Sequence, residues 1–348
     1  MKPNSEITAA PIPMQKVGPI RLAGPEVDAE VRVPLATFET PLWPSVERGA
    51  RVTAQAGGIR AVVFDERMTR SVLVDAPGAE GARDLIAFLE AHRADLAATA
   101  AGTSRFAQLK DVHYEVVGHL VYVRFEFTTG DAAGHNMATR AADALLAWIL
   151  EQRPECAYGS ISGNYCCDKK ASAVNGILGR GKYVVAEATI PRRLVERYLH
   201  ATPEKIAELN VRKNWIGTSL AGGLRSANAH FANMLLGFYL ATGQDAANIV
   251  EGSQGFTLAE ARADELYFSV TLPNLIVGTV GNGKGLPFVE ENLRELGCLE
   301  AREPGVNARR LALICAATVL CGELSLLAAQ TNPGELMAAH LRLERGGT

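Results

Sequence analysis

The stretch Val112-His-Tyr-Glu-Val-Val117-Gly118-His119-Leu120-Val-Tyr-Val-Arg-Phe-Glu-Phe-Thr128 decides the fold. Val121, Val123, Phe125 and Phe127 alternate with Tyr122, Arg124, Glu126 and Thr128, the period of two expected of a strand with one face in a core and one in water. Residues 112–117 form a matching extended segment, and Gly118-His119 between them predicts a hairpin turn. Working outward, residues 81–99 place Leu85, Phe88, Leu89 and Leu96 on one helical face, and apolar strands are expected at 61–64 and 71–74. Downstream, Ala141, Leu145, Leu146 and Ile149 recur at helical spacing through 137–151. This succession makes residues 72–158 a compact split βαβ, ferredoxin-like unit.

Around that unit the pattern changes. The first 35 residues are rich in proline and polar breakers, with short extended pieces around 17–22 and 31–35, and predict irregular structure leading into a strand, with little contribution to the core. Residues 158–167 are small and polar. A helix is expected from Asp168, a good N-cap, to the stop at Gly179, with Ala171, Val174 and Leu178 as its apolar stripe. A strand follows at 182–190. The remainder reads as mostly helical, notably 192–200, 221–241 and 308–330, interrupted by a glycine-rich turn at 278–285. The predicted class is therefore α+β: a mostly helical large domain, 1–71 and 159–348, into which the 72–158 unit is inserted.

Composition bounds the function. With 348 residues, 48% hydrophobic and 21% charged, the chain has the balance of a packed globule, and a net charge of -3 provides no global field toward nucleic acid or an anionic membrane. Six cysteines without an N-terminal leader pattern suggest a reduced, cytoplasmic protein. Neither they nor the seven histidines show metal-ligand spacing, so no metal is expected. The apolar run 311–329 approaches membrane-spanning length, but Arg309 and Arg310 precede it and Glu323 interrupts it, so it reads as a buried helix.

Two segments invite chemistry. Gly278-Thr-Val-Gly-Asn-Gly-Lys284-Gly285 has the spacing of a phosphate-binding loop except at its last position, where a magnesium-holding Ser or Thr is replaced by Gly285. A glycine turn that lets backbone approach a neighbour or ligand is the better reading. Lys169-Lys170, placed by the predicted helix at its N-terminus, adds two cations to a positive dipole end. The pair is either two solvated lysines or a site for an oxyanion or carboxylate.

Several segments, in order, resemble the hydroxymethylglutaryl-coenzyme A (HMG-CoA) reductases. Val33-Pro-Leu-Ala-Thr-Phe-Glu39 resembles the stretch with the catalytic glutamate, and Gly130-Asp131-Ala-Ala-Gly134-His-Asn136-Met137 the dinucleotide-binding segment. Ser162-Gly-Asn-Tyr-Cys-Cys-Asp168-Lys169-Lys170-Ala-Ser-Ala-Val-Asn175, continuing to Gly179-Arg-Gly-Lys182, resembles the loop bearing the catalytic lysine. Asn228-Ala-His230-Phe-Ala-Asn233 and Gly243-Gln-Asp245 resemble the central helix and the catalytic aspartate. Gly278-Thr-Val-Gly281 resembles the glycine turn. The resemblance spans about 17–345. It lacks the family's usual preceding segment, with a dimer-forming helix and a Glu-Asn-Val-Ile-Gly sequence, and so suggests an N-terminally shortened member. Asn282 and Lys284 stand where the family has Gly and Thr.

The resemblance implies a four-electron reduction of HMG-CoA to mevalonate and CoA with two NADPH. Glu39, Lys169, Asp245 and His340 would be catalytic: proton donor, oxyanion partner, the carboxylate between these two, and the acid for the departing CoA thiolate. Arg70, Ser162, Lys170, Lys213 and Asn233 would hold the acyl group, with Asp168 and His230 behind them. Ser104, Arg105, Phe106, Asp131, Gly134, Asn136 and Gly281 would contact NADPH; Ser104-Arg105-Phe106 matches the 2′-phosphate contact of the NADPH-using first class. A homodimer or larger homo-oligomer, with the site between subunits, is also implied. The alternatives are a non-catalytic CoA-ester or nucleotide-binding protein and a reductase of another short acyl-CoA.

Overall fold

The computed structural model describes residues 9–337. The extended pieces expected at 17–22 and 31–35 lie within β1 (Met14–Ala23) and β2 (Asp28–Ala36), which, contrary to the irregular start expected around them, pair antiparallel with a bulge between Val17 and Ile20. Val17, Ile20, Leu22, Val31, Val33 and Leu35 of this ribbon are all buried. Alternation supplies that core face, and Gly18-Pro19 at the bulge interrupts it in sequence.

After α1 (Leu42–Gln55), the chain runs into β3 (Arg60–Asp75), one continuous strand where two short ones were expected. Next come α2 (Ala79–Ala91) and α3 (Arg93–Thr103), a single predicted helix broken at His92, then β4 (Leu109–Val117), β5 (Leu120–Phe127), α4 (His135–Gln152) and β6 (Ala157–Ile161). Strand order β4-β5-β3, with β6 on β3, gives the antiparallel split βαβ arrangement that the hairpin suggested. Its own core contains Leu85, Leu89, Val121, Val123, Phe125, Phe127, Leu145 and Ile149.

Next are α5 (Ala173–Leu178) and β7 (Gly181–Pro191), then α6 (Arg192–Leu194), α7 (Pro203–Leu209) and α8 (Thr218–Leu220), linked by π-helical turns. Helix α9 (Phe231–Ala241) starts ten residues later than the predicted 221, because Gly222-Gly223 and a left-handed Arg225 break the preceding segment. After α10 (Ile249–Gly252), an unpredicted hairpin, β8 (Phe256–Arg262) and β9 (Glu265–Leu275), extends the sheet from β7. The large body is thus helices on an antiparallel sheet, within the α+β class. The chain continues through α11 (Pro287–Glu295) to α12 (Val306–Ala329).

Helix α12 meets the length and apolarity of a membrane span but is almost wholly buried in the fold. Gly49 of α1 lets it pass so close that a Cβ there would lie 2.0 Å from the Cys321 carbonyl oxygen. All six cysteines are unpaired.

Candidate active site

The site is organised along one edge of β3. Strand β7 pairs with Arg60–Arg67 on that edge and β6 with Val72–Asp75, while β5 occupies the opposite edge. The loop from β6 to α5 fills the gap between β6 and β7. The N–H of Gly163 donates to the Ser71 carbonyl (3.1 Å), the N–H of Cys166 to Ser71 Oγ (3.1 Å), and Thr69 Oγ1 to the Cys166 carbonyl (3.3 Å).

The helix expected from Asp168 begins only at Ala173, with Ser172 Oγ as its cap. Asp168 is drawn away by Arg180, 2.8 Å from its carboxylate, and Arg70, 3.5 Å from it. Lys169 therefore does not sit at a helix N-terminus. It occupies a left-handed loop position, φ 55°, and its main-chain N–H is held by Glu251 Oε1 at 3.1 Å. Its ammonium lies 2.6 Å from Asp245 Oδ2. The bond from Asp245 holds that ammonium above the usual lysine range. Burial pushes the Asp245 carboxyl up, but bonds from Lys169 and the Ala247 N–H outweigh it and leave the carboxyl below its ordinary value. Asp245 Oδ1 also caps the turn Ala246–Asn248, so the capping role open to it from sequence coexists with the ion pair.

Three loops close a cleft of about 500 Å³ over this pair, with Arg70, Gly134, His135, Asn136, Asp168, Gly281 and Lys284 among its walls. Gly278 explains how they fit: a Cβ there would lie 2.3 Å from the Ala133 nitrogen. The Thr279 N–H donates to the Asp131 carbonyl (2.8 Å), and the Gly278 N–H to Gln244 Oε1 (2.9 Å). The carboxylate oxygens of Asp131, expected to meet the cofactor, accept the N–H groups of Gly305 and Ala308, 2.9 Å each, at the start of α12. These bonds lock this loop to the large body. Beyond the cleft, Ser104 follows the last residue of α3 as its C-cap. Arg105 is exposed and lies over the Phe106 ring, 4.6 Å from its centroid, and that ring packs against Gly130.

Glu39 and Asn233 lie elsewhere. With His230, Arg48, Ser325 and Glu335 they line a second cleft, of about 380 Å³. Among the described residues, no hydrogen bond or ion pair joins Glu39 to Lys169 or Asp245. Buried Glu323, which had argued against a membrane span, accepts the N–H groups of Ala229 (2.6 Å) and His230 (3.1 Å) and fixes the turn before α9. Lys213 bonds Asn214 Oδ1 at 3.3 Å, and burial lowers its ammonium. Ser162 Oγ accepts the Asn164 N–H and contacts Cys166 Sγ; Lys170 is exposed and bonds the Asp168 carbonyl. His340 lies outside the described residues.

The sequence profile of the family described as hydroxymethylglutaryl-coenzyme A reductase matches residues 4–345. The chain belongs to this family. The 3-hydroxy-3-methylglutaryl-coenzyme A reductase of Pyrococcus abyssi is 45% identical over 337 residues, covering 96% of this chain and 82% of that one. The reductase 1 of Oryza sativa subsp. japonica is 42% identical over 340 residues, 96% of this chain and 63% of that one. In three dimensions, the class II HMG-CoA reductase of Streptococcus pneumoniae, solved with NADPH, superposes with a TM-score of 0.74 at 22% identity, covering 94% of this chain and 86% of that one.

In this member of the HMG-CoA reductase family, two buried arginines missed at the sequence level hold the lysine loop. Arg180 joins Glu251 (2.7 Å), Asp168 (2.8 Å) and Thr69 (3.2 Å). Arg124, on the β5 face expected to meet water, instead bonds Asn175 Oδ1 (3.0 Å), the Gly179 carbonyl (2.7 Å) and the Tyr165 carbonyl (3.2 Å). The only local signal for Arg180 was its place in Gly179-Arg-Gly; for Arg124 and Glu251 there was none.

Proposed function

We propose that the chain reduces HMG-CoA to mevalonate and CoA with two NADPH, as a first-class member working in the cytoplasm. The Lys169–Asp245 ion pair, walled by two glycine loops and Arg70, is the observation that carries this function. The cleft's donor set suits an anionic dinucleotide: the first N–H groups of α4 at Gly134–Asn136, Lys284 on the facing loop, and Arg105 beyond Gly130. Arg105, exposed and lying over Phe106, would meet the 2′-phosphate, and its guanidinium, free of ion pairs among the described residues, supports the first-class reading.

NADPH, when bound, supplies the hydrides. Lys169, kept protonated by Asp245, sits where a carbonyl oxygen gaining negative charge needs a fixed cation. Arg70, held by Asp168, offers a guanidinium to the acyl carboxylate. Glu39 would give the oxygen its proton and His340 the thiolate its own. Glu39 and Asn233 face a different cleft from Lys169 within one chain, so the complete site forms between two copies, the Glu39 cleft of one closing on the Lys169 cleft of the other. The large body, 1–71 and 159–348, carries the acyl substrate, and the inserted 72–158 unit the cofactor.

The test is purified protein with HMG-CoA and NADPH, following NADPH loss and identifying the product. Mevalonate with two NADPH consumed per CoA released supports the proposal. Binding without turnover would indicate a non-catalytic binder, and turnover only with another acyl-CoA a different reductase.

A further inference from the structure

Lys284 is the cleft cation that no acid balances. Lys169 has Asp245 at 2.6 Å and Arg70 has Asp168 at 3.5 Å, whereas among the described residues no carboxylate lies within ion-pair distance of Lys284. Its ammonium donates only to the carbonyl of Gly243, two residues before Asp245. A half-buried cation satisfied by one neutral oxygen lacks a counter-charge, and burial accordingly pushes its pKa down to about 8. The side chain lines the same cleft as Gly134–Asn136 at the start of α4, whose first N–H groups also lack intrahelical partners. The sequence places it in the glycine turn 278–285.

We infer that Lys284 is a cofactor-binding residue that holds a pyrophosphate oxygen of the dinucleotide, between the α4 start and the 280–284 turn. The inference rests on the assignment of this cleft to NADPH. Position favours the pyrophosphate: Lys284 shares the cleft wall with Gly134–Asn136 at the start of α4, whereas Arg105, the candidate for the 2′-phosphate, lies outside the cleft beyond Gly130. The contact should therefore be indifferent to the 2′-phosphate.

Equilibrium titration of NADPH and of NADH, without acyl substrate, into wild type, Lys284→Thr and Lys284→Arg decides it. Lys284→Thr should weaken both dinucleotides, by roughly 10- to 100-fold, the range of a charge-assisted phosphate contact. Lys284→Arg should retain binding within about fivefold, the cation being kept. Losses confined to NADPH would move the contact to the 2′-phosphate and overturn the pyrophosphate assignment. Unchanged affinity in a Lys284→Thr protein that still turns over would overturn the role of Lys284 while leaving the proposed reaction intact. A wild type that binds neither dinucleotide would overturn both.

Discussion

Glu251 is fully buried, and its Oε1 holds both the Lys169 main-chain N–H (3.1 Å) and Arg180 (2.7 Å). Burial pushes its carboxyl up from the ordinary value, against the pull of Arg180. Glu251→Leu leaves Arg180 buried with Asp168 as its remaining acid, so the cost should fall near the lower end of the range for a broken buried pair, about 3 kcal/mol. Arg180→Met should cost a similar amount, because it strands Glu251. The double variant replaces ions by apolar volume, and its loss should undercut the sum of the single losses by at least about 1.5 kcal/mol. Turnover should behave differently. With the Lys169 backbone released, a displacement of about 1 Å at its ammonium is worth roughly 100-fold in kcat, and the double variant should stay that slow. Urea unfolding followed by tryptophan fluorescence, with initial rates on the same preparations, measures both quantities. Single losses that add within about 0.5 kcal/mol, or a Glu251→Leu enzyme with normal kcat, would refute the coupling.

Arg105→Ala should raise KM for NADPH about 10- to 100-fold and leave NADH nearly untouched, read from initial rates with each cofactor. Asp245→Asn removes the partner that raises the Lys169 ammonium, so the free amine should appear at lower pH. Labelling of Lys169 by trinitrobenzenesulfonate against pH checks this, and an unmoved profile counts against the ion pair. Lys169→Ala should fold normally, by circular dichroism, and lose turnover, by NADPH oxidation; near-normal rates would remove it from the chemistry. His340→Gln should slow HMG-CoA reduction far more than mevaldehyde reduction, which releases no thiolate; equal losses would place it elsewhere.

What was legible in the sequence depended on local pattern. The Val121–Phe127 alternation and the Gly118-His119 turn lie within one hairpin, so the split βαβ unit could be read directly. Of the β1–β2 ribbon only the extended pieces at 17–22 and 31–35 were legible, because Gly18-Pro19 breaks the alternation at the bulge and so hides their pairing and their core face. The β8–β9 hairpin was hidden because its turn, at Ala263-Asp264, has no glycine although Ala263 takes φ 31°. The site residues came from motif resemblance, but what fixes them did not. Arg180 and Glu251 are 71 positions apart, and neither sits in a pattern that announces a partner. The expected Asp168 cap failed for the same reason: its acid is claimed by Arg70 from β3 and by Arg180 just before β7, beyond the reach of a local rule.

The shared strand β3 has a consequence for how this protein can vary. Its first half is ruled by β7 and its second by β5 and β6, without a break between Arg67 and Met68. In a pleated strand a single inserted or deleted residue turns everything after it to the opposite face. At that junction the change would carry Arg70 away from Asp168 and reverse the faces of Val72 and Val74, while the register against β7 stayed intact. Length changes in such a chain belong in its loops; along β3, the two halves are bound to one reading frame of side chains.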